Sequence, residues 1–238
     1  MSPHMPSRRS SPPRVVHGTT ESFVGPLSDL ERVYSPSTLY VAGHAEWLRE
    51  HPKVSVVGSR EASADGLRRT SKLVTDLVTH GVIVVSGLAH GVDAMAHRTA
   101  MGTGGRTLAV LGTPLSQSYP AANRALQLDM MVNHAVVSQF PEDEPVGRRN
   151  FPIRNRTMAL LVDASVIVEA GEGSGTLSQG WEALRLGRPL FLMRSILGRT
   201  DLSWPNTMLD YGAQVLDDVD DLLERLPTAC KDVLAGLA

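Results

Sequence analysis

The stretch RRNFPIRNR, residues 148–156, concentrates four arginines around an apolar Phe-Pro-Ile core. The chain as a whole has a formal net charge of -2, so this is a local concentration of positive charge. The planar guanidinium group of arginine binds phosphate oxygens, often through two parallel hydrogen bonds. The first two arginines have acidic residues at 142–144 as alternative partners. Arg154 and Arg156 stand in an apolar frame, with Phe151 and Ile153 expected to anchor the turn, and this favours a phosphate clamp.

Several loops combine glycine, hydroxyl groups and a following helix. They directly follow apolar runs that predict strands, at residues 58–60, 88–91, 113–115 and 172–176. Free backbone N–H groups and the helix dipole favour anions at such positions, and glycine lets a ligand approach the backbone closely. One such loop is more often only a tight connection. Several of them at one sheet edge favour an anion-binding site.

Asp93 and His97 lie four residues apart on a predicted helix, a spacing that suits half a metal site or an acid–base pair. No third ligand is apparent, so we favour a hydrogen bond on the helix surface. The sequence contains no paired carboxylates and no nucleophile elbow. The absence of GxxxxGK[ST] excludes a P-loop NTPase, and the absence of GxGxxG from the first βα turn disfavours an NAD site. We therefore predict no catalytic residues, no metal, no cofactor and no enzymatic activity.

Short apolar runs alternate with helical patterns from about residue 39 onward, which predicts the elements that position these residues. Strands are predicted at STLYVAG, KVSVVGS, VIVVSG, TLAVLG, AVVSQF, SVIVEAG, PLFLM and AQVLDD. Helices are predicted at roughly 64–80, 92–100, 122–134, 153–161, 176–187 and 218–226. This alternation predicts an α/β fold with a doubly wound, mostly parallel sheet and helices on both faces. Ligands bind beyond the carboxyl ends of the strands in such sheets, where RRNFPIRNR and the loops would meet.

The amino-acid composition limits the classes of protein and of binding site that are possible. Of the 238 residues 42% are hydrophobic, enough for a full core, whereas aromatic residues make up only 5%, which disfavours a broad base-stacking platform. The single cysteine, Cys230, excludes internal disulfides and a cysteine-based zinc site. Asp163 interrupts the longest apolar run, and the N-terminus lacks the apolar region of a signal peptide. We expect a cytoplasmic protein without a membrane partner.

The predicted domain organisation has four parts. Residues 1–20 are rich in Ser, Pro and Arg and are predicted to be a disordered tail. A short connection at 21–38 leads to one α/β domain at 39–228, and a tail at 229–238 follows.

The motifs taken together resemble the DNA-processing protein A (DprA/Smf) family. The matching pieces are, in order, LYVAG, VVGSR, SADG, VVSGLAHGVDAMAH, GGRTLAVLG, YPAANRAL, FPIRNR, VIVEA, GSGTL, GRPLF and LDYGAQVLDD. They cover about residues 39–226. The combination of GSR, SGxAxGxDxxAH, FPxRNR and SGTL is specific, although no single motif is.

The resemblance implies an extended Rossmann-like domain that binds single-stranded DNA in a positively charged pocket. It also implies a homodimer that protects incoming single strands during natural transformation and loads the RecA recombinase. Carried over residue by residue, the resemblance predicts DNA or phosphate binding by Gly58, Ser59, Arg60, Ser86, Gly87, Arg154, Asn155, Arg156, Ser174, Gly175 and Thr176.

Two alternatives use the same fold. Lysine-decarboxylase-like phosphoribohydrolases carry a catalytic glutamate where this chain has Gln179, and a glutamine cannot act as acid or base. A sensor that binds a small signalling nucleotide in the same loops is the second alternative, because one phosphate cradle serves a nucleotide or a strand.

Overall fold

Nine strands form a single sheet in residues 13–226, the part of the chain that this computed structural model describes. The strands are β1 Val15–Thr19, β2 Thr38–Gly43, β3 Lys53–Gly58, β4 Ile83–Ser86, β5 Thr107–Leu111, β6 Ala135–Ser138, β7 Ala164–Glu169, β8 Leu190–Met193 and β9 Gln214–Leu216. Their order in the sheet is β1-β2-β6-β5-β4-β3-β7-β8-β9. The β1–β2 and β2–β6 pairings are antiparallel, and the others are parallel.

Helices cover both faces of the sheet. They are α1 Thr20–Val24, α2 Asp29–Tyr34, α3 Ala64–Thr79, α4 Val92–Gly102, α5 Arg124–Asn133, α6 Asn150–Leu160, α7 Thr176–Arg185, α8 Arg194–Leu197, α9 Trp204–Asp210 and α10 Val219–Leu223. The predicted fold class, α/β with a mostly parallel sheet between two helical layers, is confirmed.

The central strands are apolar because side chains on both of their faces are buried. Every residue of β3 is buried. Val54 and Val56 pack against α3 and α4, whereas Val57 faces the layer that contains α6 and α9. Burying one such valine stabilises the fold by roughly 1.5 to 3 kcal/mol. This two-sided burial is why these strands read as continuous apolar runs rather than as alternating patterns.

The N-terminal segment differs from its prediction. Residues 15–20, predicted to belong to a disordered tail, form β1 and the start of α1, and α2 lies within the predicted connection. The strand VVHGT pairs with β2, and the Ser28 side chain closes a capping box with Glu31 at the start of α2. The local composition therefore did not predict β1, because this strand is stabilised by its pairing with β2. The predictions for residues 1–12, and for 227–238 with Cys230, lie outside the described residues.

The C-terminal part also contains two helices that the sequence did not predict. The α8 helix directly follows β8, and α9 begins at Trp204. Trp204 is buried in the core with Met208, one helical turn later.

The strand order creates a switch point between β3 and β7. From β3 the chain proceeds to β4 on one side, and from β7 it proceeds to β8 on the other. The loops after these two neighbouring strands therefore diverge, and a crevice opens outside their carboxyl ends.

Candidate functional site

A cavity of about 660 Å³ occupies this crevice. Three segments that are distant in sequence meet there: the loop after β3, the first turns of α6 and the start of α7. Eight of the eleven predicted site residues line it. They are Gly58, Ser59, Arg60, Arg154, Asn155, Ser174, Gly175 and Thr176.

The loop after β3 is fixed by its backbone. The Ser59 N–H donates to the Glu169 carbonyl oxygen at 2.7 Å, and the Thr176 hydroxyl donates to the Gly58 carbonyl oxygen at 2.9 Å. A Cβ at Gly58 would lie 2.5 Å from Val92 Cγ2 and 2.9 Å from the Glu169 carbonyl oxygen, so only glycine fits. These contacts hold the carboxyl ends of β3 and β7 together while the following side chains project into the crevice.

Arg60 presents an exposed guanidinium group at the mouth of the cavity. Its Cζ atom lies 5.6 Å from the centre of the Phe151 ring. Within residues 13–226, neither Arg60 nor Arg148 has an acidic side chain within ion-pair distance, and Arg148 also lines the cavity. Glu61 is the exposed acidic residue of the lining. The mouth therefore holds two cations that are available to an anionic ligand.

Arg154 is buried and holds the fold together at the cavity floor. Its Nη1 donates to the carbonyl oxygens of Gly87 at 2.6 Å and Val110 at 2.7 Å, and its Nε donates to Asn155 Oδ1 at 3.0 Å. Burial lowers the pKa of Arg154, and the nearby Asp93 carboxylate opposes that shift. Burial likewise raises the pKa of Asp93, which Arg154 opposes. The predicted contact of Arg154 with phosphate stays a prediction, to which the structure adds a bridging role between β4 and β5.

Asp93 and His97 each bond elsewhere in the protein rather than to one another. Asp93 accepts hydrogen bonds from the N–H groups of Gly87 at 3.2 Å and Ala89 at 3.3 Å. His97 Nδ1 bonds to the Thr107 hydroxyl at 2.7 Å, and burial lowers the pKa of His97 to about 3. Both side chains are buried, so the predicted hydrogen bond on the helix surface is wrong. The described part of the chain holds no group of three His, Cys, Asp or Glu residues suited to a metal.

Ser86 and Gly87 lie behind the cavity instead of lining it. The Ser86 hydroxyl is buried and donates to the Val56 carbonyl oxygen at 2.7 Å. A Cβ at Gly87 would lie 2.0 Å from Arg154 Nη1, so this glycine makes room for the guanidinium group. Both residues therefore shape the floor of the site from beneath.

Arg156 points away from the cavity. Its Nε lies 3.4 Å from Glu182 Oε2, and its guanidinium group covers the Tyr34 ring at 5.3 Å, beside Arg185. Residues two apart on a helix do not share a face, so Arg154 and Arg156 cannot form one clamp. The structure does not bring Arg156 to the cavity. Ile153, predicted to anchor the turn, is 41% exposed.

The start of α7 supplies the opposite wall. Asn155 Nδ2 donates to the Gly175 carbonyl oxygen at 3.3 Å, and the Thr176 N–H contacts the Ser174 hydroxyl at 3.2 Å. The helix N-terminus favours negative charge in the crevice. Below it, the Gln179 side chain is buried, and its Oε1 has no hydrogen-bond partner in residues 13–226.

Sequence reasoning missed Tyr119 and the role of Phe151. Both rings line the cavity, with their centres 5.1 Å apart, and Tyr119 is 49% exposed. The acidic residues at 142–144 are the alternative partners predicted for Arg148, but Glu142 accepts a hydrogen bond from Ser116. The available signal was the aromatic residue in YPAANRAL, between a predicted strand and a predicted helix.

The fold and the site define a Rossmann-type α/β protein whose crevice suits an anionic ligand. The family model described as DNA recombination-mediator protein A matches residues 20–227. DNA processing protein DprA of Bacillus subtilis is 30% identical over 199 residues, which cover 83% of this chain and 67% of that protein. The chain therefore belongs to the DNA recombination-mediator protein A family.

Solved structures agree with this assignment. DNA processing protein A of Streptococcus pneumoniae has a TM-score of 0.76 and 30% identity, covering 89% of this chain and 74% of that one. DNA processing protein A of Helicobacter pylori, studied for its single-stranded DNA binding mode, has a TM-score of 0.74 and 26% identity, covering 91% and 96%. No helix in residues 13–226 is both long and apolar enough to cross a membrane.

Proposed function

We propose that this protein binds single-stranded DNA in the cavity at the switch point and serves in DNA processing. The observation that carries the proposal is the pair of cations at the mouth, Arg60 and Arg148, which have no acidic partners in residues 13–226, opposite the N-terminus of α7. Family membership supports it, because the Helicobacter pylori relative was studied for binding single-stranded DNA.

The contacts expected at this site are to the sugar–phosphate backbone. Arginine side chains and helix N-terminal amides recognise phosphate oxygens, which carry no base identity. We therefore expect affinity that depends weakly on base sequence and strongly on salt. No nucleophile with an adjacent base lines the cavity in the described residues, which supports a binding protein rather than an enzyme.

A small nucleotide is the second candidate ligand. The cavity volume of about 660 Å³ lies within the range of small-molecule sites, and this observation favours the candidate. Hydrolysis of such a ligand is disfavoured, because the buried Gln179 amide cannot act as a general acid or base. Length dependence separates the two ligands, since a strand gains affinity with added nucleotides and a mononucleotide site does not.

The proposal for the cellular role of the protein rests on its resemblance to the family. We propose that the protein acts as a cytoplasmic homodimer that protects single strands and loads the RecA recombinase on them in transformation or recombination. A light-scattering mass and a RecA strand-exchange assay test the two parts of this proposal separately.

The direct test is fluorescence anisotropy with short and long labelled single strands at two salt concentrations. Removing two phosphate contacts in Arg60→Ala/Arg148→Ala should reduce the log–log salt slope by about 1.4, at roughly 0.7 per phosphate. Arg156→Ala is the matched control, because that arginine lies outside the cavity. An unchanged slope in the double variant, or an equal loss in the control, would contradict the proposal.

A further inference from the structure

Tyr119 places a half-exposed aromatic ring at the mouth of the cavity. The side chain is 49% exposed and lines the cavity together with the two unpaired arginines, Arg60 and Arg148. The ring of Phe151 contacts it at a centre-to-centre distance of 5.1 Å and an angle of 46°. In the described part of the chain, Phe151 is the one aromatic ring that contacts Tyr119. Because half of the side chain is exposed, part of the Tyr119 ring is open to a ligand.

The segment that carries Tyr119 is held in place by hydrogen bonds. The Thr113 hydroxyl donates to the Gln117 carbonyl oxygen at 2.8 Å. The buried Gln127 amide donates to the Leu115 carbonyl oxygen at 2.9 Å. Binding to a ring whose position is already fixed costs little ordering entropy.

The Phe151 ring that supports Tyr119 is itself tightly seated. A Cβ at Gly112 would lie 2.8 Å from Phe151 Cδ1, so the glycine lets this ring pack against the backbone. Arg60 covers the same ring at 5.6 Å. Arg60, Phe151 and Tyr119 thus form one contiguous cluster, in which Arg60 lies over the Phe151 ring and the Tyr119 ring is tilted against it.

We propose that Tyr119 stacks on one nucleobase of the bound strand, beside the phosphates contacted by Arg60 and Arg148. The inference rests on the proposed function and deepens it, because it gives the site a reason to select unpaired bases. Every base has a π face, so stacking tolerates any sequence. A base within a duplex is covered on both faces by its neighbours and cannot reach the ring.

The test compares an intact strand with an abasic strand of the same length and charge. Stacking on an aromatic side chain contributes a roughly 5- to 150-fold gain in affinity per base. Tyr119→Ala should weaken binding of the intact strand by a factor in this range and leave binding of the abasic strand unchanged. Tyr119→Phe keeps the ring and should bind both strands as the parent does.

Tyr211→Ala provides the matched control. Tyr211 is 70% exposed and contacts Trp181, outside the cavity lining, so its removal should change neither affinity. A Tyr119→Trp variant adds a spectroscopic signature, because stacking with a base should quench its fluorescence. Thermal melts of each variant establish that the fold is retained.

The outcomes separate the stacking proposal from the proposed function. Equal weakening of both strands by Tyr119→Ala, no weakening of either, or an equal loss in Tyr119→Phe would overturn stacking. If Arg60→Ala/Arg148→Ala nevertheless weakens binding of the intact strand, the proposal that the cavity binds the strand remains supported without stacking on Tyr119. If the parent protein binds no strand, both proposals fall.

Discussion

The two edges of the parallel sheet differ in their solvent-facing cations, although both contain ion pairs, such as Arg69–Glu169 at the carboxyl edge. At the amino edge, charged groups are paired: Arg106 with Glu50, and His51 with Asp163 at 2.8 Å. At the carboxyl edge, Arg60 keeps no acidic partner within residues 13–226, although it lies in a protein with more acidic than basic residues. Paired charges neutralise each other and hold loops together, whereas unpaired cations beside helix N-termini remain available to an anion.

The amino edge also buries a lysine. Lys53 is 1% exposed, its Nζ donates to the Leu48 carbonyl oxygen at 3.2 Å, and its backbone N–H donates to Asp163 Oδ2 at 2.7 Å. Burial lowers the pKa of Lys53 to about 8, and Asp163 opposes the shift. The carboxyl edge also contains a buried cation, Arg154. The presence of a buried cation therefore does not distinguish the two edges, whereas the presence of unpaired, solvent-facing cations does.

The largest expected effect comes from removing the buried cation at the carboxyl edge. Arg154→Ala removes the donor to two buried carbonyl oxygens and the positive charge near the Asp93 carboxylate. Each buried acceptor left without its donor costs about 1 to 3 kcal/mol, so urea unfolding should show a loss of about 2 to 6 kcal/mol in the free energy of unfolding. Arg148→Ala, an exposed change at the same site, should stay within about 0.5 kcal/mol. Similar losses of unfolding free energy in both variants would contradict the distinction between a structural cation, Arg154, and a ligand-facing cation, Arg148.

At the amino edge, stability should depend on alkaline pH through Lys53. The folded pKa is about 8 and the unfolded value is 10.5, so between these values the unfolded chain binds more protons. The free energy of unfolding should therefore rise with pH across this window, by up to about 3 kcal/mol at 1.4 kcal/mol per tenfold change.

The Lys53 effect is isolated by comparison with Lys53→Met, measured by urea unfolding at pH 7.5 and pH 10.5. Other groups titrate equally in both proteins, so the difference between their pH profiles reports this lysine. A parent profile that is parallel to that of Lys53→Met would show that the ammonium group is not destabilised by burial.

The smallest effect is expected at Arg156, which belongs to neither edge site. Its contacts with Glu182 and Tyr34 are partly exposed, and such pairs contribute about 0 to 1 kcal/mol. Arg156→Ala should lower the melting temperature only slightly and leave strand affinity unchanged in the anisotropy assay. A large loss of affinity would place a second strand contact on the outer face of α6.

The sequence predicted the sheet because its central strands are buried on both faces. Apolar runs such as KVSVVGS and SVIVEAG indicate buried parallel strands when helical patterns separate them. The sequence also predicted a site at the carboxyl ends of the strands, and eight of the eleven predicted residues line the cavity there. β1 could not be predicted, because VVHGT gains its stability from pairing with β2 rather than from its own composition.

The site was predicted at the level of motifs but not of side-chain direction. FPIRNR forms part of α6, which lines the cavity, yet the helical geometry directs Arg154 inward and Arg156 outward. The order of residues in the motif does not show that difference. Tyr119 was missed because its role depends on the distance to Phe151, a contact between two separate segments. Spatial pairing of this kind is not encoded in local sequence patterns.

The close approach of Gly87 to Arg154 makes the two positions dependent on each other. With a Cβ only 2.0 Å from Nη1, no other residue at position 87 tolerates the arginine in its present place. A shorter side chain at position 154 would remove that restriction and open position 87 to alanine. In a library randomised at both positions and selected for strand binding, arginine at position 154 should therefore be recovered together with glycine at position 87, whereas glycine is also compatible with shorter side chains at position 154.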